Sequence, residues 1–282
     1  MQCKILMRME VLYIMVSSNI ITKSNYTLNI PYIISTYIRE YDISKANINI
    51  LLYKNYINLD MYNLLCSMEK MDREVYIGKQ IKRNPEIQTI ISDGILEMRA
   101  LFIQQNNISD EDILSIKNDA IYIINKIPTI TKFKNVEFVM KNYYTSYIKL
   151  NKYEIYYLCD NMNNIEGIDV KGINDSTLSL HENYMISFIC QILYELESGN
   201  VKDAFNYFNK FFDDYINLRL DLGYYREFNP ESKFMSKPIS GHRYIFDSFD
   251  KKDINILDIN YNANILRDLY RILLNISKGR KL

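Results

Sequence analysis

Asp42 and Asp119 are the residues of this chain best placed by pattern to do chemistry. Asp42 closes a run of β-branched and aromatic residues (32–43, YIISTYIREYDI) and is followed at once by a helical pattern, with Ser44 available as its cap. Asp119 sits in Asn118-Asp119 between two β-rich runs, ILSIK (113–117) and AIYII (120–124), so it falls at the tip of a predicted hairpin. Carboxylates delivered side by side by neighbouring strands can hold two Mg²⁺, and such ions activate a 3′-hydroxyl and stabilise a leaving pyrophosphate during in-line attack. Taken singly, each Asp has an ordinary explanation, because Asp caps helices and makes turns.

The segment between them adds weight. Lys70, Arg73, Lys79, Lys82 and Arg83 fall within the 14 residues just before Asn84. Anions need point charges and guanidinium forks, which makes Arg73 and Lys79 the best candidates to hold a triphosphate. Glu69, Asp72 and Glu74 are interleaved with them, the composition of an ordinary solvated helix face. Next comes Asn84-Pro85-Glu86-Ile87-Gln88-Thr89-Ile90-Ile91-Ser92-Asp93-Gly94-Ile95.

Over about residues 36–126 the chain resembles the palm of family A DNA polymerases, in three pieces and in the family's order. The first carboxylate motif of that family has Asp, one residue, Ser and an apolar helix; Asp42, Ser44 and Ile50-Leu51 match. The Gln-bearing helix has Asn, three residues, Gln, four residues and Asp; Asn84, Gln88 and Asp93 match. The last motif is an apolar strand, His-Asp and a second apolar strand; Asn118 stands at the His position and Asp119 matches. The resemblance implies that Asp42 and Asp119 bind catalytic Mg²⁺, and that Asn84 and Gln88 touch primer–template DNA near its growing end. An amide can donate to minor-groove acceptors at any base pair, so such contact is sequence-tolerant. The chain departs from the family at Asn47 (Glu, which helps exclude ribonucleotides), Asn49 (Arg), Thr89 (Gly) and Ala120 (often acidic). Only 42 positions separate Asp42 from Asn84, much less than a full fingers subdomain occupies, while 163 residues follow Asp119.

The elements that must present these groups are legible in outline. After residues 32–43, a helical pattern runs from Ser44 to about Lys82, with Leu51, Leu52, Tyr56, Leu59, Tyr62, Leu65 and Met68 at three- and four-residue steps and a break near Asn58. Pro85 opens a second helix over about Glu86–Gln105. Strand-like pieces follow the hairpin at 132–140, 143–150 and 153–158, and helices at about 181–198, 201–221 and 261–277, the first two parted by Gly199-Asn200. The expected class is α+β: an antiparallel palm-like sheet with helices on one face, then a mainly helical C-terminal half. The expected division is a core over 1–160 with a reduced fingers segment at about 44–84, and a helical region over 161–282.

Composition bounds the function. The 282 residues are 48% hydrophobic and 24% charged, which excludes a disordered or fibrous chain. Lys plus Arg (34) equals Asp plus Glu (34), so any nucleic-acid contact must come from a local patch rather than a global field. Two His and four Cys without CxxC spacing leave carboxylate-bound Mg²⁺ as the metal chemistry the composition favours. Cys3, Cys66, Cys159 and Cys190 read as reduced core thiols, and Lys4, Arg8 and Glu10 interrupt the most apolar stretch, so the expectation is a cytoplasmic protein without a membrane partner. Heavy use of Tyr, Ile, Asn and Lys points to an AT-rich coding sequence, as in some phages and low-GC bacteria.

Minor constellations have bland readings. Asp175, His181 and Glu182 could bind a metal, but His181-Glu182 more simply make a capped first turn; His242 lies in a loop; and the aromatics of Tyr224 to Phe228 could stack bases but better suit packing at a helix end. Tyr143, Tyr144, Tyr147 and Tyr153, with lysines beside them, suit either a sheet face or a duplex-tracking surface. The leading expectation is template-directed nucleotidyl transfer by a minimal polymerase or one piece of a split polymerase, acting on primer–template DNA and nucleoside triphosphates with a possible partner subunit. The alternatives are a single-subunit RNA polymerase, a non-enzymatic phage protein binding single-stranded nucleic acid or replication proteins, and an assembly protein.

Overall fold

The computed structural model describes residues 20, 22–158, 168–172, 184–226 and 256–279. It is α+β, with two antiparallel sheets. Sheet one has six strands in the order β1-β4-β5-β3-β7-β6: β1 (Asn25–Thr27), β3 (Ile38–Ile43), β4 (Ile113–Lys117), β5 (Ala120–Ile124), β6 (Lys132–Phe133) and β7 (Val136–Tyr144). Sheet two has the order β10-β9-β8-β2: β2 (Tyr32–Ile33), β8 (Ser146–Leu150), β9 (Tyr153–Tyr157) and β10 (Ile168–Lys171). The single strand expected over 32–43 is thus two strands in different sheets. Ser35, at φ 56°, turns the chain between them. β10 was not foreseen.

Four helices connect β3 to β4: α1 (Ala46–Tyr53), α2 (Leu59–Ser67), α3 (Lys70–Arg83) and α4 (Glu86–Gln105). The expected break near Asn58 is real, and Asn58 itself caps α2 by accepting the Met61 N–H at 2.9 Å. Ser44 does not cap α1. That position belongs to Lys45, held at φ 45° with no side-chain cap bond. α1 and α4 cover one face of sheet one, where Tyr41, Ile43, Phe102 and Phe138 meet; Phe102 stacks on Phe138 at 4.2 Å. Sheet two covers the other face through Tyr122, Tyr144, Tyr147 and Tyr156, with Tyr122 stacked on Tyr156 at 4.5 Å. Being buried on both faces, β4 and β5 read as continuous apolar runs rather than alternating ones.

The second half supplies α5 (Tyr184–Glu197), α6 (Val201–Ile216), α7 (Leu222–Arg226) and α8 (Ile256–Ser277). These helices build a separate core against β8, β9 and β10, in which Phe188 stacks on Phe211 at 3.6 Å. Tyr225 is buried there and stacks on Tyr215, the packing role that its sequence context suggested. Tyr144, Tyr147 and Tyr153 are buried too, which leaves only Tyr143 of that group exposed. The segments bearing Asp175, His181, Glu182 and His242, and both Cys3 and Cys159, lie outside the described residues. Among the described residues no helix is long and apolar enough to cross a membrane.

Candidate functional site

The β4–β5 hairpin closes over two residues, Asn118 and Asp119, with Lys117 paired to Ala120. Asn118 adopts φ 55°, the left-handed conformation that Asn tolerates in such turns. β5 pairs with β3 up to Tyr41 opposite Ile121, so Asp42 emerges one residue beyond the ladder, beside the hairpin tip. On its other side β3 pairs with β7 through a bulge: Glu40 faces Asn142 and Tyr41 faces Met140, leaving Lys141 as the extra residue. Bulges re-aim side chains next to functional sites. Here the bulged Lys141 reaches Asp42 Oδ2, its Nζ standing 3.6 Å away.

The two carboxyl groups come within hydrogen-bonding reach of each other. Burial, followed by the charge of Asp42, pushes the Asp119 carboxyl up to about 6, with Lys141 and a backbone hydrogen bond pulling the other way. Asp42 Oδ1 is buried and has no hydrogen-bond partner. An orphaned carboxylate oxygen beside a second carboxylate is a donor set that fits a hard divalent cation. No group of three or more His, Cys, Asp or Glu that could hold a metal occurs among the described residues. That suits Mg²⁺, which is usually held by one or two carboxylates with substrate phosphates and waters completing the shell.

Asp42 and Asp119 lie in the wall of a cavity of about 660 Å³. α4 supplies a stripe at helical spacing along it, Gln88, Ile91, Ser92, Ile95, Leu96 and Arg99. Arg99 lies eleven steps along the helix from Gln88, about 16 Å at the α-helical rise. Lys45, Asn47, Lys70, Arg73 and Glu74 line the cavity from α1 and α3. Asn47 donates to Glu74 Oε2 at 2.7 Å. The guanidinium of Arg73 is buried, with a 3.5 Å bond from Nη1 to the Met68 carbonyl and a 4.0 Å ion pair from Nε to Glu74, Nε making no hydrogen bond. Arg99 is 1% exposed; its Nη1 donates to the Asn118 carbonyl at 2.9 Å, while Nε and Nη2 have no partner. Burial draws this guanidinium down to about 10, and the charge of Asp119 opposes that.

The structure therefore brings together Asp42, Asp119, Arg73 and Gln88 of the residues singled out in the sequence. It does not bring Lys79 or Asn84 to the cavity. Lys79 is exposed, since the face of α3 that turns inward carries Arg73 and Ile77. The Asn84 amide is spent locally: its Oδ1 accepts the Glu86 N–H at 3.2 Å and its Nδ2 donates to Tyr56 Oη. Asn49 is likewise structural, accepting from Tyr62 Oη at 2.9 Å. Sequence reasoning missed Arg99, Lys45 and Lys141. Arg99 was findable, because it falls on the apolar stripe of α4 eleven residues after Gln88, where a cation is out of pattern. Lys141 was not, because its position depends on the bulge.

No curated protein matches this chain. A family model described as "Bacteriophage PBS1 gene 130 protein" does match, over residues 15–275, and the chain belongs to that phage protein family.

Proposed function

We propose that this phage protein carries out template-directed nucleotidyl transfer by a two-metal mechanism, as a minimal or split DNA polymerase-like enzyme. The resemblance of residues 36–126 to the family A palm supports the reading, but one observation carries it. Four of the six buried side-chain polar atoms without a hydrogen bond among the described residues belong to this cavity: Asp42 Oδ1, Arg99 Nε, Arg99 Nη2 and Arg73 Nε, the last met by the 4.0 Å ion pair to Glu74. Buried polar groups are rarely left unmade without a functional reason. Orphaned carboxylate and guanidinium atoms together call for a ligand that carries both a cation and an anion, and a metal-bound polyphosphate has that character.

In this reading Asp42 and Asp119 hold Mg²⁺, which when bound supplies Lewis-acid activation of the attacking hydroxyl and charge neutralisation at the phosphates. Lys141, 3.6 Å from Asp42 Oδ2, offsets part of the charge of that carboxylate. Lys45, Lys70 and Arg73 take the triphosphate from the α1–α3 side. Gln88, exposed on α4, contacts the primer–template by amide donation to minor-groove acceptors. Lys79 and Asn84 have no part in it.

Calorimetric titration with a non-hydrolysable nucleoside triphosphate tests the pocket. Binding is expected with Mg²⁺, weakened at least about tenfold by Arg73→Ala or by chelation, in line with the loss of a charge-assisted contact. Binding that ignores both changes would contradict the assignment.

A further inference from the structure

We infer that Arg99 is a positioning residue for the carboxylate pair, fixing the Asn118–Asp119 tip so that Asp119 meets Asp42. The inference rests on reading that pair as a cation site. The hairpin tip is held from two sides. The Asn118 N–H donates to the Ser24 carbonyl at 2.8 Å, and the Asn118 carbonyl accepts from Arg99 Nη1 at 2.9 Å. The first tether comes from a short segment ahead of β1, the second from a twenty-residue helix packed on the sheet. Arg99 therefore ties the turn to a long helix packed on the sheet, and the peptide it grips is the one that leads into Asp119.

A tether alone does not require a cation. An amide or hydroxyl would donate to a carbonyl without bringing a buried charge with two unmade nitrogens, an arrangement costly in a protein interior. A guanidinium adds reach and a fixed plane: at the end of a long side chain on α4 it delivers Nη1 to the Asn118 carbonyl at 2.9 Å from within a rigid planar group. Groups that orient metal ligands from behind act in this way, and removing one typically costs about 10–100-fold in metal affinity.

The sign of the effect separates positioning from mere proximity. A cation that only sits near a metal site repels the metal, so removing it should tighten binding. A cation that holds a ligand in place should weaken binding when removed. Mn²⁺ titration of the full chain, read by electron paramagnetic resonance, measures this directly. Wild-type protein is expected to bind, and Asp119→Asn to lose binding. Arg99→Met should weaken the affinity at least about tenfold, and Arg99→Lys, which keeps the charge but loses the fork, by several-fold. Circular dichroism establishes that each variant folds, and if Arg99→Met does not, Arg99→Lys decides. Unchanged or tighter Mn²⁺ binding in the deciding Arg99 variant overturns the positioning role while leaving the carboxylate site standing. Equal binding by wild type and Asp119→Asn overturns the site itself, and the role of Arg99 with it.

Discussion

Asp119 is the carboxyl whose surroundings shape its charge most legibly at the candidate site. Its folded carboxyl titrates near 6 against an ordinary value of 3.8, raised by burial and by Asp42. A carboxyl raised in the folded state is stabilising while protonated, and that contribution is lost as pH rises through the window from about 4 to about 6. With chelator present, the melting temperature of wild type relative to Asp119→Asn should therefore fall across that window and stay low above it. Mg²⁺ should erase the deficit, because the cation neutralises the pair. A flat difference between the two proteins from pH 4 to 8 would contradict the geometry. At this scale the sequence was informative about acids and less so about bases. Asp42 and Asp119 stand at strand and hairpin ends, which pattern reveals, whereas the inward face of α3 chose Arg73 over Lys79, and a bulge brought in Lys141.

α4 is the element on which the site depends, and its bounds, Glu86–Gln105, were readable from Pro85 and the apolar stripe. Its approach to α1 was not. A Cβ added at Gly94 would stand 2.3 Å from Ile50 Cγ2, a buried and branched side chain with nowhere to go. In an exposed helix interior Gly→Ala stabilises by roughly 0.5–1 kcal/mol. Here Gly94→Ala should destabilise by about 1–3 kcal/mol, as overpacking does, and should spread α1 from α4 along the cavity wall. Urea denaturation checks it, and an unchanged or higher midpoint would show that the two helices do not pack this closely. The helical pattern over 44–82 was right in type and in its break at Asn58, because capping chemistry is local. Ser44 failed as a cap because Lys45 takes the left-handed turn that leads from β3 into α1.

At the scale of the molecule, Tyr122, Tyr144, Tyr147 and Tyr156 are packed between the two sheets and Tyr153, Tyr157, Tyr215 and Tyr225 in the second, helical core, while Tyr37, Tyr56, Tyr143, Tyr207 and Tyr270 stay exposed. The α+β class was legible because hairpin and helix periods are local signals. The existence of two sheets was not, since the partner of β2 lies more than a hundred residues away in β8. Equal numbers of acidic and basic residues conceal a local arrangement in which Lys45, Lys70, Arg73 and Arg99 line one cavity together with Asp42, Glu74 and Asp119. Global neutrality therefore says little about what the cavity takes. Extension of a labelled primer on a template with all four nucleoside triphosphates reads the proposed nucleotidyl transfer itself. Wild-type chain should extend the primer only with Mg²⁺ or Mn²⁺, and Asp119→Asn should fall by at least about a hundredfold, as loss of a metal ligand does. Extension that survives Asp119→Asn, or its absence when wild type binds metal, triphosphate and primer–template, would contradict the account.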